Sequence, residues 1–462
     1  MSDRRTLIAQ ALAAVGQEHV LRYADELPAA DLTELLDQIE ALDLPRLQRL
    51  IQDVLAPATD AGQGSGLQPP ELIEQGDDPA STARNAAARE RGEQLLRAGK
   101  VGAFLVAGGQ GTRLGYDGPK GRFPVGPLTQ RSLFAYHAQR VLASCRRYDA
   151  ELPFYIMTSK ANHASTVAAF EEASWFGLDS RQVVFFSQGL LPAIDTEGKM
   201  LLASRSSLAL SPDGHGGCFD AMERNGALAD MERRGIEELF YFQVDNPLAQ
   251  VFDPLFIGHH SLASAEMSTK VVEKSSPSEK VGVLATQDGK HCLVEYSDLS
   301  DDLAAQQDDS GRLRFRAGNI AIHMLRLSFI RRLLSEGSGL PVHRANKKVP
   351  CLDAQGQPVQ PTEPNAIKME MFVFDALGFA SRVTTQDVDR ADEFAPVKNA
   401  EGFDSPATAR AALSDQARRW ATAAKLPVKD GDLEVGPLFG LDYSDFRDTL
   451  TQADVGPVFD RS

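Results

Sequence analysis

The chain has 462 residues, 43% hydrophobic and 24% charged, enough apolar material for a sizeable core spread over roughly two to four domains. Its 48 Lys and Arg against 64 Asp and Glu leave a net charge of −16. That balance argues against an extended nucleic-acid backbone site, but leaves room for a small anionic substrate in a locally basic pocket.

Residues 1–95 read as a helical region. Leu32, Leu35, Leu36, Ile39 and Leu42 recur at helical spacing, with Asp31 and Glu34 placed to cap that helix. Pro45 opens a second helix, whose stripe is Leu47, Leu50, Ile51, Val54 and Leu55. Residues 58–70, rich in Gly and Pro, read as a linker or exposed loop, and 80–98 as a charged helix ending before Gly99. The opening segment meets Gln17, Glu18 and His19 too early for a signal peptide. No apolar run approaches the length of about 18 residues that a membrane span needs.

Residues 96–400 read as one large domain. VGAFLVA (101–107), PFYIMTS (153–159), VVFFSQ (183–188) and IEELFYFQVDN (236–246) are apolar strand runs, with helices expected at 131–147 and 161–174. This alternation predicts an α/β domain with a mainly parallel sheet, whose ligands lie beyond the carboxyl ends of its strands. Residues 270–297 read as strands joined by a turn at Asp288-Gly289, and 312–325 as a strand leading into a helix. These antiparallel edges are expected to build the second wall of a cleft. A helix at 406–424 opens a small C-terminal region, 401–462, whose tail is expected to be β-rich.

The segment LVAGGQGTRLGYDGPKGRFPVG (105–126) places Gly108, Gly109 and Gly111 directly after a strand. Glycine lets backbone N–H groups approach a phosphate and form an anion nest, and Arg113 and Lys120 add positive charge nearby. No GK[ST] closes the loop, and no GxGxxG with a following acid is present, so it is neither a Walker A loop nor a dinucleotide fingerprint. The bland alternative is a turn with solvated Arg and Lys. Cys145, Cys218, Cys292 and Cys351 show no CxxC pair, zinc spacing or activation pattern, and a reducing, cytoplasmic setting is expected. The histidines form no HxxxH set, and GQGSG at 62–66 has its serine misplaced for a nucleophile elbow.

LVAGGQGTRLGYDGPKG resembles the signature of the eukaryotic-type UDP-sugar pyrophosphorylases, especially those acting on UDP-N-acetylhexosamines. Further blocks agree in order: YIMTS (155–159), FFSQGLLPAID (185–195), SPDGHGG (211–217), VDN (244–246), KVVEKSSPSEKVGVL (270–284), VEYSDL (294–299), AGNIAIH (317–323), KMEMFVFD (368–375) and PVKNAEGFDSPATAR (396–410). The similarity runs over roughly 95–425. It implies a Rossmann-like nucleotidyltransferase fold of the glycosyltransferase-A type, with a central mixed sheet flanked by helices. It also implies a direct in-line displacement, in which a sugar 1-phosphate oxygen attacks the α-phosphorus of UTP and pyrophosphate leaves.

The resemblance assigns residues. Gly108, Gly109, Gly111 and Thr112 would hold the nucleotide and its phosphates, and Gln188 and Gly217 would read uracil. Arg113 would stabilise charge on the β,γ-phosphates, Lys120 would grip the α-phosphate region, and Lys398 would reach the sugar-phosphate and α-phosphate groups. Asp245 would hold Mg²⁺ (or Mn²⁺) between phosphate oxygens, a hard cation on oxygen ligands. Asn246 would contact the sugar phosphate or orient Asp245, and Gly282, Glu295 and Asn319 would bind the sugar. Phe372 and Phe374, two apart on an extended segment, would share one side, either walling a pocket for an acetamido methyl or packing the core. Lys368 is charged but less tied to the pattern. His215 stands where the family pattern has Asn and is a surface histidine or a catalytic one.

The leading expectation is UTP:N-acetylglucosamine-1-phosphate uridylyltransferase activity. The alternatives are glucose 1-phosphate or broad sugar specificity, and an inactive nucleotide-sugar-binding regulator. UTP and a hexose 1-phosphate are the expected partners, with no nucleic acid or membrane, and the chain is expected to be a monomer or weak homo-oligomer.

Overall fold

In the computed structural model, which describes residues 2–56, 66–76, 78–336, 339–428, 430–451 and 456–461, the apolar runs become neighbouring strands of one sheet. Its members are β1 (Val101–Val106), β2 (Phe154–Thr158), β3 (Val183–Ser187), β4 (Glu238–Gln243), β5 (Met267–Glu273), β6 (Val283–Gln287), β7 (Lys290–Val294), β8 (Ala317–Arg326) and β9 (Val383–Asp387). Along the sheet the order is β7-β6-β8-β4-β1-β2-β3, with β5 also pairing β8, and β9 pairing β5. Strands β4, β1, β2 and β3 are parallel, whereas β8 runs antiparallel to β4, β5 and β6. The near-continuous apolar character of β1, β2 and β4 reflects this position, since a parallel strand is covered on both faces. The Asp288-Gly289 turn joins β6 to β7 as expected, with both residues at positive φ (51° and 76°).

Two compact units share the chain: Met1–Ala61, Gln188–Asp220 and Leu340–Asp375 form one, and Gly62–Ser187, Ala221–Gly339 and Ala376–Ser462 the other. The sheet lies in the second. The first unit therefore draws two inserts from within the 96–400 stretch that the sequence presents as one domain. Its helices, Ser2–Ala14, Ala29–Glu40 and Leu44–Leu55, bury Leu12, Leu36, Ile39, Leu47 and Ile51 with Ile194, Leu202, Ile367 and Met369 from those inserts. Asp31 and Glu34 do not cap the second helix. That helix starts at Ala29 behind Pro28, whose extended φ/ψ ends the preceding segment, and no side chain caps it. Asp43 does cap the next helix by accepting the Arg46 N–H, with Pro45 in its first turn.

Residues 57–65, most of the expected linker, lie outside the described residues. The part that follows is no free loop: Gln68 exchanges backbone hydrogen bonds with Thr286 of β6. The charged helix Pro79–Arg97 belongs to the second unit, where it crosses helix Pro254–Leu262 at backbone contact. A Cβ at Gly92 would collide with the Pro254 carbonyl, and one at Gly258 with the Ala88 carbonyl. Gly92→Ala is expected to cost about 3 kcal/mol or more, because neither colliding atom can rotate away. A denaturation midpoint equal to that of the wild type would show that the two helices can separate freely.

The C-terminal region opens on the expected helix, but among the described residues its tail is not β-rich. Among the described residues its helices are Pro406–Ala423, started by a Ser405–Thr408 capping box, and Tyr443–Thr449, with one two-residue strand pair, Glu434–Val435 with Val458–Phe459. Buried Glu434 accepts hydrogen bonds from the Leu128 N–H (2.9 Å), the Thr129 N–H (2.8 Å) and hydroxyl (2.6 Å), the Tyr136 hydroxyl (2.7 Å) and Arg131 (3.2 Å). One carboxylate thus shapes the loop between the glycine-rich segment and helix Leu133–Tyr148. No helix among the described residues is long and apolar enough to cross a membrane.

Candidate active site

The glycine-rich segment leaves β1 at its carboxyl end and closes on itself. Gly111 N–H donates to the Gly118 carbonyl (2.9 Å) and Lys120 N–H to the Gly109 carbonyl (3.1 Å). At Gly111 a Cβ would lie 2.9 Å from the Tyr116 side chain, so glycine is needed there for packing. Gly115, at φ 68°, ends the turn Thr112–Leu114 in the left-handed region. Gly109, Thr112 and Arg113 are exposed and Gly108 is half-buried. Arg113 makes no ion pair among the described residues, so its charge stays available to a ligand.

Asp245 follows β4, the strand beside β1. Its carboxylate lies 3.6 Å from the Lys120 ammonium, and both side chains are mostly buried. The Asp245 carbonyl accepts the Val397 N–H (2.8 Å), which brings Lys398 next to this loop. The Lys398 ammonium is half-exposed, 3.8 Å from Asp404 and 5.5 Å from the centre of the Phe394 ring. Asn246 is buried; its amide donates to the Glu393 carbonyl (2.7 Å) and accepts the Ala395 N–H (3.1 Å) and the Leu248 N–H (3.3 Å). Its amide therefore docks the 393–397 segment onto the Asp245 loop.

The three positions assigned to sugar form a row. Val283 of β6 faces Gly318 of β8 on one side and Val294 of β7 on the other, so antiparallel pairing sets Gly282 between Asn319 and Glu295. The Gly282 carbonyl accepts the Asn319 N–H (2.9 Å). Register shifts between Asn319 and His323, with Ala321 at φ 55° and its N–H bound to Asn319 Oδ1 (3.1 Å). Such a bulge re-aims side chains beside a site. Because His323 faces Tyr241 of antiparallel β4, the residues of β8 before it extend past the carboxyl end of β4. The row thus lies on the sheet edge that also carries Asp245.

Gln188, Gly217, Phe372 and Phe374 lie in the other unit. There Leu190–Pro192 pairs with Leu210–Pro212, and Asp213 N–H donates to the Gly189 carbonyl (3.2 Å), so Gln188 and the 213–217 turn share one end of this ribbon. A Cβ at Gly217 would collide with the Asp213 carboxylate. Phe372 and Phe374 do not stand on an extended segment: the strand ends at Met371 and a 3-10 helix starts at Val373, yet the rings still stack at 5.1 Å. His215 packs on both rings and accepts the Val373 N–H at Nδ1 (3.1 Å). Burial pushes its pKa down to about 4, with His343 adding to the effect, so it is a neutral, half-buried ring and not a surface histidine. Lys368 is half-buried on the strand Ala366–Met371.

A family model for UTP–glucose-1-phosphate uridylyltransferases matches residues 74–425. The chain belongs to this family. UDP-N-acetylhexosamine pyrophosphorylase-like protein 1 of Xenopus tropicalis is 38% identical, with 96% of each chain covered. UDP-N-acetylglucosamine pyrophosphorylase of Saccharomyces cerevisiae is 36% identical over 100% of this chain and 99% of its own. The crystal structure of the uridine diphosphate N-acetylglucosamine pyrophosphorylase of Trypanosoma brucei, 28% identical, matches with a TM-score of 0.86 over 99% of this chain and 98% of that one. The uridylyltransferase family thus accounts for the mixed sheet, its flanking helices and the N-terminal helices as one Rossmann-like nucleotidyltransferase fold.

In this uridylyltransferase-family chain, several supporting residues escape a reading of the sequence. Asn162, fully buried at the start of helix His163–Glu172, donates to the carbonyls of Ala107 (2.9 Å) and Gly109 (3.3 Å) and so holds the glycine loop from below. His137 and Arg140 bond the carbonyls of Val244 (3.0 Å) and Pro247 (3.0 Å), on either side of Asp245 and Asn246. Among the described residues no three His, Cys, Asp or Glu side chains gather to hold a metal. A divalent cation could therefore rest on Asp245 only with ligand oxygens completing its shell, the usual manner of Mg²⁺ beside phosphates.

Proposed function

We propose that this chain transfers the uridylyl group of UTP to N-acetylglucosamine 1-phosphate and releases pyrophosphate. The observation that carries the reading is the meeting of Lys120, Asp245 and the Lys398 segment at the carboxyl ends of β1 and β4, beside the glycine loop. The sugar-phosphate oxygen forms a bond to the α-phosphorus while the bond from that phosphorus to the bridging oxygen of the leaving pyrophosphate breaks. Such a step needs alignment and charge neutralisation and no covalent nucleophile. Glycine-loop amides hold the phosphates, Arg113 neutralises the leaving pyrophosphate, and Lys120 and Lys398 flank the α-phosphate. Asp245 would hold Mg²⁺, which supplies charge neutralisation on the phosphate oxygens. Glu295 and Asn319 offer polar groups to sugar hydroxyls. The N-acetyl preference is supported by the yeast and trypanosome relatives, both named UDP-N-acetylglucosamine pyrophosphorylases, and by the AGNI and KMEMFVFD blocks.

The test is pyrophosphate release from UTP, Mg²⁺ and a panel of glucose, galactose, N-acetylglucosamine and N-acetylgalactosamine 1-phosphates. Fastest release with the N-acetylglucosamine compound is expected, and no release with any of them would overturn the reading. Arg113→Ala is expected to lower turnover about 10²-fold, the usual cost of one group aimed at developing charge, with little change in stability because the side chain is exposed. Near-wild-type turnover in the folded variant would remove Arg113 from the site.

A further inference from the structure

Four ionisable side chains are buried beneath the Asp245 loop, and the reaction just described uses none of them. Lys270, in the middle of β5, has no exposed surface. Its ammonium bonds Asp253 (2.8 Å) and Glu393, both almost fully buried. Buried Arg140 is attracted to Glu393 and bonds the Pro247 carbonyl (3.0 Å). Two basic groups thus face two carboxyl groups out of water. Desolvating ions is costly, and well-packed apolar side chains would often give equal or greater stability.

Each member is tied to a segment of the site. Asp253 starts helix Pro254–Leu262 by accepting the Leu255 N–H (2.9 Å), eight residues after Asp245. The Glu393 main chain is held by Asn246, and four residues later Val397 bonds the Asp245 carbonyl, directly before Lys398. Val271, next to Lys270, faces Asn319 of the sugar row. One ammonium therefore ties together, from below, the chain segments carrying Asp245, Lys398 and Asn319.

We propose that Lys270, bridging Asp253 and Glu393, is a positioning residue that sets Asp245 and Lys398 in reacting alignment. The inference rests on the uridylyl-transfer reading. Burial alone would push the Lys270 pKa down, but the two carboxylates outweigh it and hold the group above its ordinary range, so the tether stays charged. Misplacement of reacting groups by about 1 Å can cost about 10²-fold in rate. Alignment lost between loops appears in kcat more than in KM.

Two variants test this. Glu393→Gln keeps an oxygen acceptor for Lys270 and is expected to hold kcat within about threefold. The double variant Lys270→Met, Glu393→Gln keeps shape and removes one basic and one acidic group together, cutting the tether. It is expected to fold, to lose about 10²-fold in kcat, and to hold KM for UTP and N-acetylglucosamine 1-phosphate within about threefold. A merely structural role would lower the melting temperature and leave kcat of the folded protein unchanged, which would overturn the inference. A double variant that fails to fold while Glu393→Gln folds would likewise overturn it in favour of a structural role. No turnover by the wild type would overturn the reading of function, and the inference with it. Wild-type turnover matched by the double variant would overturn the inference alone.

Discussion

Replacing Lys120 by Met is expected to lower turnover about 10³-fold in a protein that still folds. The Lys120 ammonium lies 3.6 Å from Asp245, and both side chains are mostly out of water, where a fixed charge acts on a phosphate far more strongly than in bulk solvent. The loop does not depend on that side chain for its path, because the Lys120 N–H still bonds the Gly109 carbonyl. Folding is expected to lose only about 1–3 kcal/mol, from leaving one partly buried carboxylate without its partner. An interaction made chiefly in the transition state lowers kcat and kcat/KM together. Steady-state kinetics in both substrates, with a denaturation curve as control, checks this. A folded variant with kcat within threefold of wild type would place Lys120 outside the reaction.

The second large effect is on acid stability, through His137. The ring is fully buried on helix Leu133–Tyr148, with Nε2 bonded to the Val244 carbonyl and its other nitrogen without a partner among the described residues. Burial pushes its pKa down to about 3; the Val244 bond opposes the shift and the nearby Arg140 adds to it. The unfolded chain takes up a proton on this residue below about pH 6.5, whereas the native state does not. Its contribution is therefore fully present above that pH and is lost as pH falls toward 3. The slope is about 1.4 kcal/mol per pH unit, or about 2 kcal/mol between pH 6.5 and 5. Glu393, raised by burial, works with the opposite sign in part of this window, so the variant must be compared with wild type at each pH. His137→Gln can still donate to Val244 but cannot be protonated. Its stability is expected to fall less steeply from pH 6.5 to 5, and parallel curves for the two proteins would refute the assignment.

What was legible in the sequence was what local pattern encodes. The strand runs at 101–107, 153–159 and 183–188, the Asp288-Gly289 turn and the glycine loop all follow from period, turn chemistry and spacing of near neighbours. Where the local signal was ambiguous, context decided. Asp31 carries a capping pattern, but Pro28 had already set the chain to start its helix at Ala29. Phe372 and Phe374 share a side through a 3-10 turn and not through extended backbone. Long-range pairing was not legible at all. Lys270 is one charge in KVVEK, and nothing nearby announces a partner 123 residues on. His137 lies among helix residues that look no different whether the ring is buried or wet. The division into two units was hidden for the same reason, because 188–220 and 340–375 leave the sheet's unit without any break in composition.

The clamp at Glu434 has a consequence for the order in which the chain can mature. Synthesis delivers the strands of the sheet from the N-terminus onward, and domains generally begin folding as they emerge. Yet the amide of Thr129 waits for an acceptor that arrives 305 positions later. Until the ribosome has passed residue 434, the segment after Lys120 lacks the carboxylate that shapes it, and the donors of Leu128, Thr129 and Tyr136 must be met by water. A nascent or prematurely terminated chain can thus assemble much of its sheet while the turn at Leu128 and Thr129 stays unset. The final path of this turn becomes a late event in the life of each molecule, withheld from fragments by the position of one carboxylate in the reading order.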